Sequence, residues 1–284
     1  MTPAHRAAVL GSPVGHSLSP VLHRAAYAAL GLTGWEYTAR ECDEAALPGI
    51  LASLDDSWRG LSLTMPLKRA VMPLLAAVTP VARQVGGVNT VTWEPAAGGR
   101  RAIGDNTDVA GIVAALGEAG VTAPVGSAVV LGGGATACSA IAALRDLGCE
   151  TPLVQVRARE RAGELLAAAD RLGVRPELGP LEDVDAPLAA DVVVCTLPSD
   201  GGTAWAVRLP AGEKPAGVLL DVVYHPWPTG AAAAWGAAGG SAVGGFGMLL
   251  HQAAAQVRLM TGHEPPTAAM RVAGEAELRR RSGG

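Results

Sequence analysis

The run VVLGGGATA, residues 129–137, constrains this chain more than any other stretch. A continuous apolar segment ends in three glycines and gives way at once to a helical pattern from Thr136 to Leu147. Gly132, Gly134 and Ala137 stand at the spacing G-x-G-x-x-G/A, between a predicted strand and a predicted helix. That order of parts gives the spacing a physical meaning. The first glycine permits a tight turn, the second lets the backbone approach a pyrophosphate, and the small third residue lets helix and strand pack closely. The helix N-terminus then offers its N–H groups and the positive end of its dipole to phosphate. Gly132, Gly133, Gly134, Ala135, Thr136 and Ala137 are accordingly the candidate dinucleotide-binding residues.

The chain beyond Leu147 repeats the same alternation. PLVQVR reads as a strand, Arg161 to Leu172 as a helix, and ADVVVCTLP and GVLLDVVY as two further strands. Strand and helix alternating in this way predict a parallel sheet covered on both faces, an α/β fold. The strand PLVQVR runs into Arg157, with Arg159 and Arg161 close behind, where a site for the unphosphorylated dinucleotide carries an acid. A guanidinium clamps a 2′-phosphate that a carboxylate would repel, so NADP is expected over NAD.

The first half is organised differently. AAVLGSPV is a strand entering a turn, and Pro20 to Leu30 is a helix with Ser19 as its cap. WEYTARE alternates as a strand does, Glu44 to Leu54 reads as a helix interrupted near Pro48, and LSLTMP is a strand. Lys68 to Val78 reads as one helix. GVNTVTWE and RAIGDN flank Gly98 and Gly99 as a hairpin. A helix is expected from Asp108 to about Gly120, and helices fill the last forty residues.

A net charge of -4 gives no footprint for nucleic acid, and no basic run marks a membrane surface. Arg279, Arg280 and Arg281 are the one dense basic cluster, expected to be a frayed helix end. No apolar run approaches the roughly 20 residues of a membrane span. Cys42, Cys138, Cys149 and Cys195 form no CxxC pair and are expected to be reduced structural residues of a cytoplasmic protein, with no metal site.

Three polar clusters of the first half lack an obvious packing reason: GSPVGHSLSP (residues 11–20), GLSLTMPLK (60–68) and IGDNTDVAG (103–111). Ser17 and Ser19 stand before a helix, where hydroxyls and N–H groups suit a carboxylate. Lys68 and Asp108 each stand at a strand-to-helix junction. With VGGVNTV, DVVYHPWPT and GGFGMLLHQA, these clusters resemble the shikimate dehydrogenase family, in order and over almost the whole chain.

The resemblance implies an N-terminal α/β substrate domain (residues 1–108) and a Rossmann-like NADP-binding domain (109–245), with C-terminal helices (246–284) packing back between them. It implies NADPH-dependent, reversible reduction of 3-dehydroshikimate to shikimate in aromatic amino-acid biosynthesis, by a monomer or homodimer. Carried over residue by residue, Ser17 and Ser19 hold the substrate carboxylate, and Thr64, Lys68, Asn89 and Asp108 surround the hydroxyls. Tyr224 and Gln252 close the pocket, and Lys68 and Asp108 are the catalytic pair. Gly132 to Ala137 with Arg157 hold NADP, and Gly245 lies near the nicotinamide.

The sequence departs from the family pattern at several places. Ser62 stands where asparagine is usual and Cys138 where arginine is. The N-R-T stretch is Val156, Arg157, Ala158, and N-A-T-S is Cys195, Thr196, Leu197, Pro198. Loss of polar groups around the dinucleotide predicts altered or looser NADP binding. A quinate or aminoshikimate paralogue and a non-catalytic NADP sensor are the alternatives. Ser19 and Arg157 argue against the quinate form, and retention of both Lys68 and Asp108 argues against the sensor.

Overall fold

The computed structural model describes residues 4–283. The chain forms two compact units: Met1–Thr107 with Leu250–Gly284, and Asp108–Leu249.

The first unit is built on six strands: β1 (His5–Gly11), β2 (Trp35–Glu41), β3 (Trp58–Leu63), β4 (Ala77–Val78), β5 (Thr90–Ala96) and β6 (Gly99–Asp105). Their order is β2-β1-β3-β5-β6-β4. The first three are mutually parallel, and β5 runs antiparallel to both β3 and β6. The β5–β6 hairpin closes with Ala96 opposite Gly99, and Gly98 takes a positive φ in its turn. Helices α1 (Ser19–Ala29), α2 (Leu47–Ala52), α3 (Leu67–Ala70) and α4 (Pro80–Val85) connect the strands. Ala8, Leu10, Leu61, Leu63, Val88 and Val91 form a core with Leu47, Leu67 and Val71 from the helices.

The helix expected from Lys68 to Val78 is cut short. It ends at Ala70, and the chain passes through a single 3-10 turn at Met72–Leu74, which contains Pro73, before Ala77–Val78 pairs with β6. A proline removes a backbone donor and blocks helix continuation. Ser19 also differs from its expected role. It is the first helical residue, and the Ser17 hydroxyl accepts the Ser19 N–H at 3.2 Å.

The second unit begins with α5 (Asp108–Glu118) and contains β7 (Ala128–Leu131), α6 (Ala135–Asp146), β8 (Leu153–Val156), α7 (Gly163–Leu172), β9 (Glu177–Pro180), α8 (Asp185–Ala189), β10 (Val192–Cys195), α9 (Ser199–Ala206), β11 (Val218–Asp221), α10 (Gly230–Ala237) and β12 (Ser241–Gly244). The strand order is β12-β11-β10-β7-β8-β9, with every pairing parallel. Two βαβ halves thus diverge from β7, which is the doubly wound arrangement. Strands β9 and β12, at the two edges, were not expected from the sequence. The buried Trp205 and Trp235, with ring centroids 6.3 Å apart, fill one side of this sheet.

Helix α11 (Phe246–Thr261) leads the chain back to the first unit, and α12 (Thr267–Ser282) packs on α1. The basic cluster on α12 is not a frayed end. Arg280 and Arg281 both pair with Glu277, and Arg281 Nη1 donates to the His16 carbonyl at 2.6 Å. Those two guanidinium groups, Arg280 foremost, hold the Glu277 carboxyl down to about 2. All four cysteines are buried. Among the described residues no helix is long and apolar enough to cross a membrane, and no cluster of side chains could hold a metal ion.

Candidate active site

In the first unit the strand directions bring four loops to one edge of the sheet. β1 and β3 run parallel, so the turns at residues 11–19 and 64–68 leave the same edge. β5 runs the other way and begins there with Asn89 just ahead of it, while β6 ends there at Asp105. Backbone bonds fasten the loops together. Thr64 N–H donates to the Leu10 carbonyl at 3.0 Å and Ser12 N–H to the Met65 carbonyl at 3.0 Å. Leu63 N–H reaches the Asn89 carbonyl at 2.7 Å, and Asn89 N–H the Asp105 carbonyl at 3.0 Å.

The side chains are placed by this frame. Glu41 clamps the first turn, accepting from Ser12 Oγ at 2.9 Å and from Val14 N–H at 3.1 Å. Ser17 is half-buried and Ser19 buried at the start of α1. Thr64 and Lys68 are half-buried, and the Lys68 carbonyl accepts from Val88 N–H at 2.7 Å, which fixes α3 beside the strand leading to Asn89. Asn89 is 1% exposed, and its Oδ1 accepts from Thr107 N–H at 2.9 Å and from Thr90 Oγ1 at 2.7 Å. Its Nδ2 faces Thr107 Oγ1 at 2.9 Å and Gln252 Oε1 at 3.4 Å. The fold therefore gathers Ser17, Ser19, Thr64, Lys68, Asn89 and Gln252 within one unit. Asp108 and Tyr224 belong to the other. Asp108 is buried at the first position of α5, and Tyr224 is half-buried in the loop after β11.

Ser62 does find partners. Tyr37 donates to its hydroxyl at 2.6 Å, and Ser62 donates to Gln256 Oε1 at 2.7 Å. Gln256 is not among the residues that the sequence singles out, although its position one turn after Gln252 on an apolar helix is a usable signal.

In the second unit Gly132 has φ +105, and a Cβ there would stand 2.7 Å from Thr196 Oγ1. Both the backbone angle and the close approach exclude a side chain. Gly134 opens α6 with no side chain capping the helix, so the first turn keeps its N–H groups for an anion. Ala135 and Thr136 occupy that first turn, and Ala137 is fully buried behind it. Arg157 is exposed at the first residue beyond β8. This cradle fits a phosphorylated dinucleotide.

The loop carrying Tyr224 is closed at its ends. Asp221 accepts from Thr229 Oγ1 at 2.6 Å and from Val223 N–H at 3.1 Å. Burial raises the Asp221 carboxyl above its ordinary value, while the Thr229 and Val223 bonds lower it. Thr229 also caps α10 by accepting Ala232 N–H at 3.1 Å. Gly245 is equally constrained: a Cβ would fall 2.0 Å from the Val222 carbonyl oxygen. Thr229→Val removes the cap and a buried partner of the carboxylate together. A loss of about 2–3 kcal/mol is expected, read as a lowered urea midpoint, since a helix cap is removed and a buried acceptor loses its donor.

A doubly wound sheet with a glycine turn in one unit and a polar loop cluster in the other together define a two-unit α/β dinucleotide-dependent oxidoreductase. Residues 9–91 match the family described as the shikimate dehydrogenase substrate binding domain, and residues 245–273 the shikimate 5′-dehydrogenase C-terminal domain. The shikimate dehydrogenase (NADP(+)) of Moorella thermoacetica is 36% identical over 93% of this chain and 90% of its own. Among solved structures, the shikimate dehydrogenase of Mycobacterium tuberculosis superposes with TM-score 0.85 at 41% identity, covering 96% of this chain and 99% of that one. The Thermus thermophilus enzyme in complex with NADP(H) and shikimate gives 0.79 at 35%, covering 96% and 100%. A quinate dehydrogenase from Corynebacterium glutamicum in complex with NAD gives 0.83 at 30%, covering 96% and 99%. The chain belongs to the shikimate dehydrogenase family.

Proposed function

We propose that this chain interconverts 3-dehydroshikimate and shikimate with NADP. The observation that carries the reading is the convergence of the loops bearing Ser17, Ser19, Thr64, Lys68 and Asn89, with Gln252, at one edge of the first sheet. A polyhydroxylated carboxylic acid needs such a set: hydroxyls and a helix N-terminus for the carboxylate, amides for the hydroxyls, and one ammonium group.

The turn from Gly132 to Ala137, with Arg157 and the backbone at Gly245, is the set that would hold NADP. When bound, the nicotinamide supplies or accepts the hydride. The protein's own chemistry is proton transfer. Reduction of a ketone leaves an alkoxide, and Lys68 as an ammonium delivers the proton to that oxygen; in the oxidative direction the amine takes it back. Asp108 is the carboxylate of the proposed catalytic pair. Ser17 and Ser19 orient the substrate through its carboxylate.

Initial rates of NADP reduction with shikimate and with quinate test this reading. Shikimate is expected to be the better substrate by kcat/KM. No turnover of shikimate, or a clear preference for quinate, overturns it. The exposed Arg157 makes a second expectation. Arg157→Ala should raise the KM for NADP about tenfold or more, the scale of one charge-assisted phosphate contact, and leave the KM for NAD within about twofold. Equal effects on both cofactors would remove Arg157 from the 2′-phosphate.

A further inference from the structure

Gln256 is 1% exposed, and its side-chain amide is committed on both ends within the first unit. Nε2 donates to the Asn89 carbonyl at 3.2 Å and to Thr90 Oγ1 at 2.9 Å. A carbonyl can only accept, so the amide orientation is fixed, and Oε1 must take donors from the other side. There it meets Ser62 Oγ at 2.7 Å and His23 Nε2 at 3.3 Å. Ser62 therefore spends its one proton on Gln256 and accepts from Tyr37. His23 is consequently the Nε2–H tautomer.

The direction propagates toward the proposed substrate residues. Thr90 receives from Gln256 and passes its own proton to Asn89 Oδ1 at 2.7 Å. Thr107 N–H also occupies that oxygen, so the Asn89 amide turns its NH2 outward, to Thr107 Oγ1 and Gln252 Oε1. Gln252 thereby has its oxygen engaged and its NH2 as the donating end. Protons point one way along the whole series: Tyr37, Ser62, Gln256, Thr90, Asn89, Gln252. Reversing Gln256 alone would place two acceptors against each other at Asn89, and a buried unsatisfied polar group is costly.

We propose that Gln256 is a positioning residue for the substrate side: it holds Asn89 through that residue's carbonyl and through Thr90 Oγ1, which together with the Thr107 N–H orients the Asn89 amide toward Gln252. The inference rests on the functional reading above, in which Asn89 and Gln252 face substrate. It explains why Ser62 suffices on β3: a hydroxyl is long enough to feed Gln256 while accepting from Tyr37.

The test compares wild type with Gln256→Glu, which keeps the shape but replaces the donor by an acceptor, and with Thr90→Val, which breaks the relay one step on. Both should raise the KM for shikimate about tenfold or more while kcat and the KM for NADP stay within about threefold. The double variant should be no worse than the worse single one, because both cut one path. An unchanged shikimate KM, additive effects, or equal losses in kcat and both KM values would overturn the proposal. The polarity is also read without turnover, from the imidazole nitrogen-15 shifts of His23 in wild type. The Nε2–H tautomer supports the relay, and the Nδ1–H tautomer overturns it. Wild type that fails to turn over shikimate while His23 shows the expected tautomer would overturn the functional reading, and with it the relay's substrate role.

Discussion

Lys68→Ala is expected to lower kcat for shikimate oxidation about a thousandfold, the middle of the range for losing a positioned acid–base group. That corresponds to about 4 kcal/mol of transition-state stabilisation. The variant should fold, because Lys68 is tied into the protein by its backbone. Its carbonyl accepts from Val88 N–H, and the apolar neighbour Leu67 anchors α3 in the core. Removing the side chain beyond Cβ leaves both interactions in place. The thermal midpoint should therefore stay within a few degrees, and the KM for NADP should barely change. A variant with wild-type kcat would transfer proton delivery to another group. Lys68→Arg makes a useful companion, since arginine keeps the charge but does not give up its proton near neutral pH.

The second large effect concerns pH and stability. His23 is fully buried and stacks on Tyr37, with centroids 3.9 Å apart and ring planes 16° apart. Burial drives its pKa from 6.5 down to about 3, against a smaller upward pull from Gln256. The cause is visible in the geometry: among the described residues Nδ1 has no hydrogen-bond partner, so protonation would bury both a charge and an orphan N–H. The folded state thus binds fewer protons than the unfolded chain between pH 6.5 and about 3. Stability from this group is complete above 6.5 and is lost as pH falls through that window. The slope is about 1.4 kcal/mol per pH unit, or about 5 kcal/mol over the full window, of which about 2 kcal/mol is gone by pH 5. Urea midpoints of wild type and His23→Gln at pH 7 and pH 5 isolate the effect. Wild type should lose about 2 kcal/mol more than the variant over that interval, and identical pH dependence would contradict the buried neutral imidazole.

The legible parts of the fold are those whose local sequence and tertiary role agree. VVLGGGATA reads as strand, turn and helix because its apolar run, its glycines and its small residues are each required where they stand. The hairpin at Gly98 and Gly99 is equally self-declaring. The edge strands β9 and β12 escape a sequence-based reading because ELGP and SAVG carry little strand propensity, and pairing with β8 and β11 makes them strands. Pro73 is a visible warning against a helix through Val78. Ser19 looks like a cap because serine before proline usually is one, yet the Ser17 oxygen reaches the N–H.

The candidate site is legible as separate motifs rather than as a place. Nothing in the spacing of residues 17, 68 and 89 says that they meet; the antiparallel return of β5 brings them to one edge. Gln256 illustrates the same gap. It looks like an ordinary helical glutamine until its partners on other strands and a helix are seen around it.

The first unit's two stretches of chain are separated in sequence by the entire second unit. During synthesis, β1 and α1 leave the ribosome long before α12, the helix that packs on α1 and anchors the His16 carbonyl. The nucleotide half has all its strands and connecting helices once residue 249 has emerged, whereas the substrate half must wait for the chain behind it. Assembly is therefore ordered in time, with the turn at residues 11–19 the last piece to be set. Nascent chains shorter than the end of α12 present a cofactor-binding half beside a substrate half still missing its helical cover.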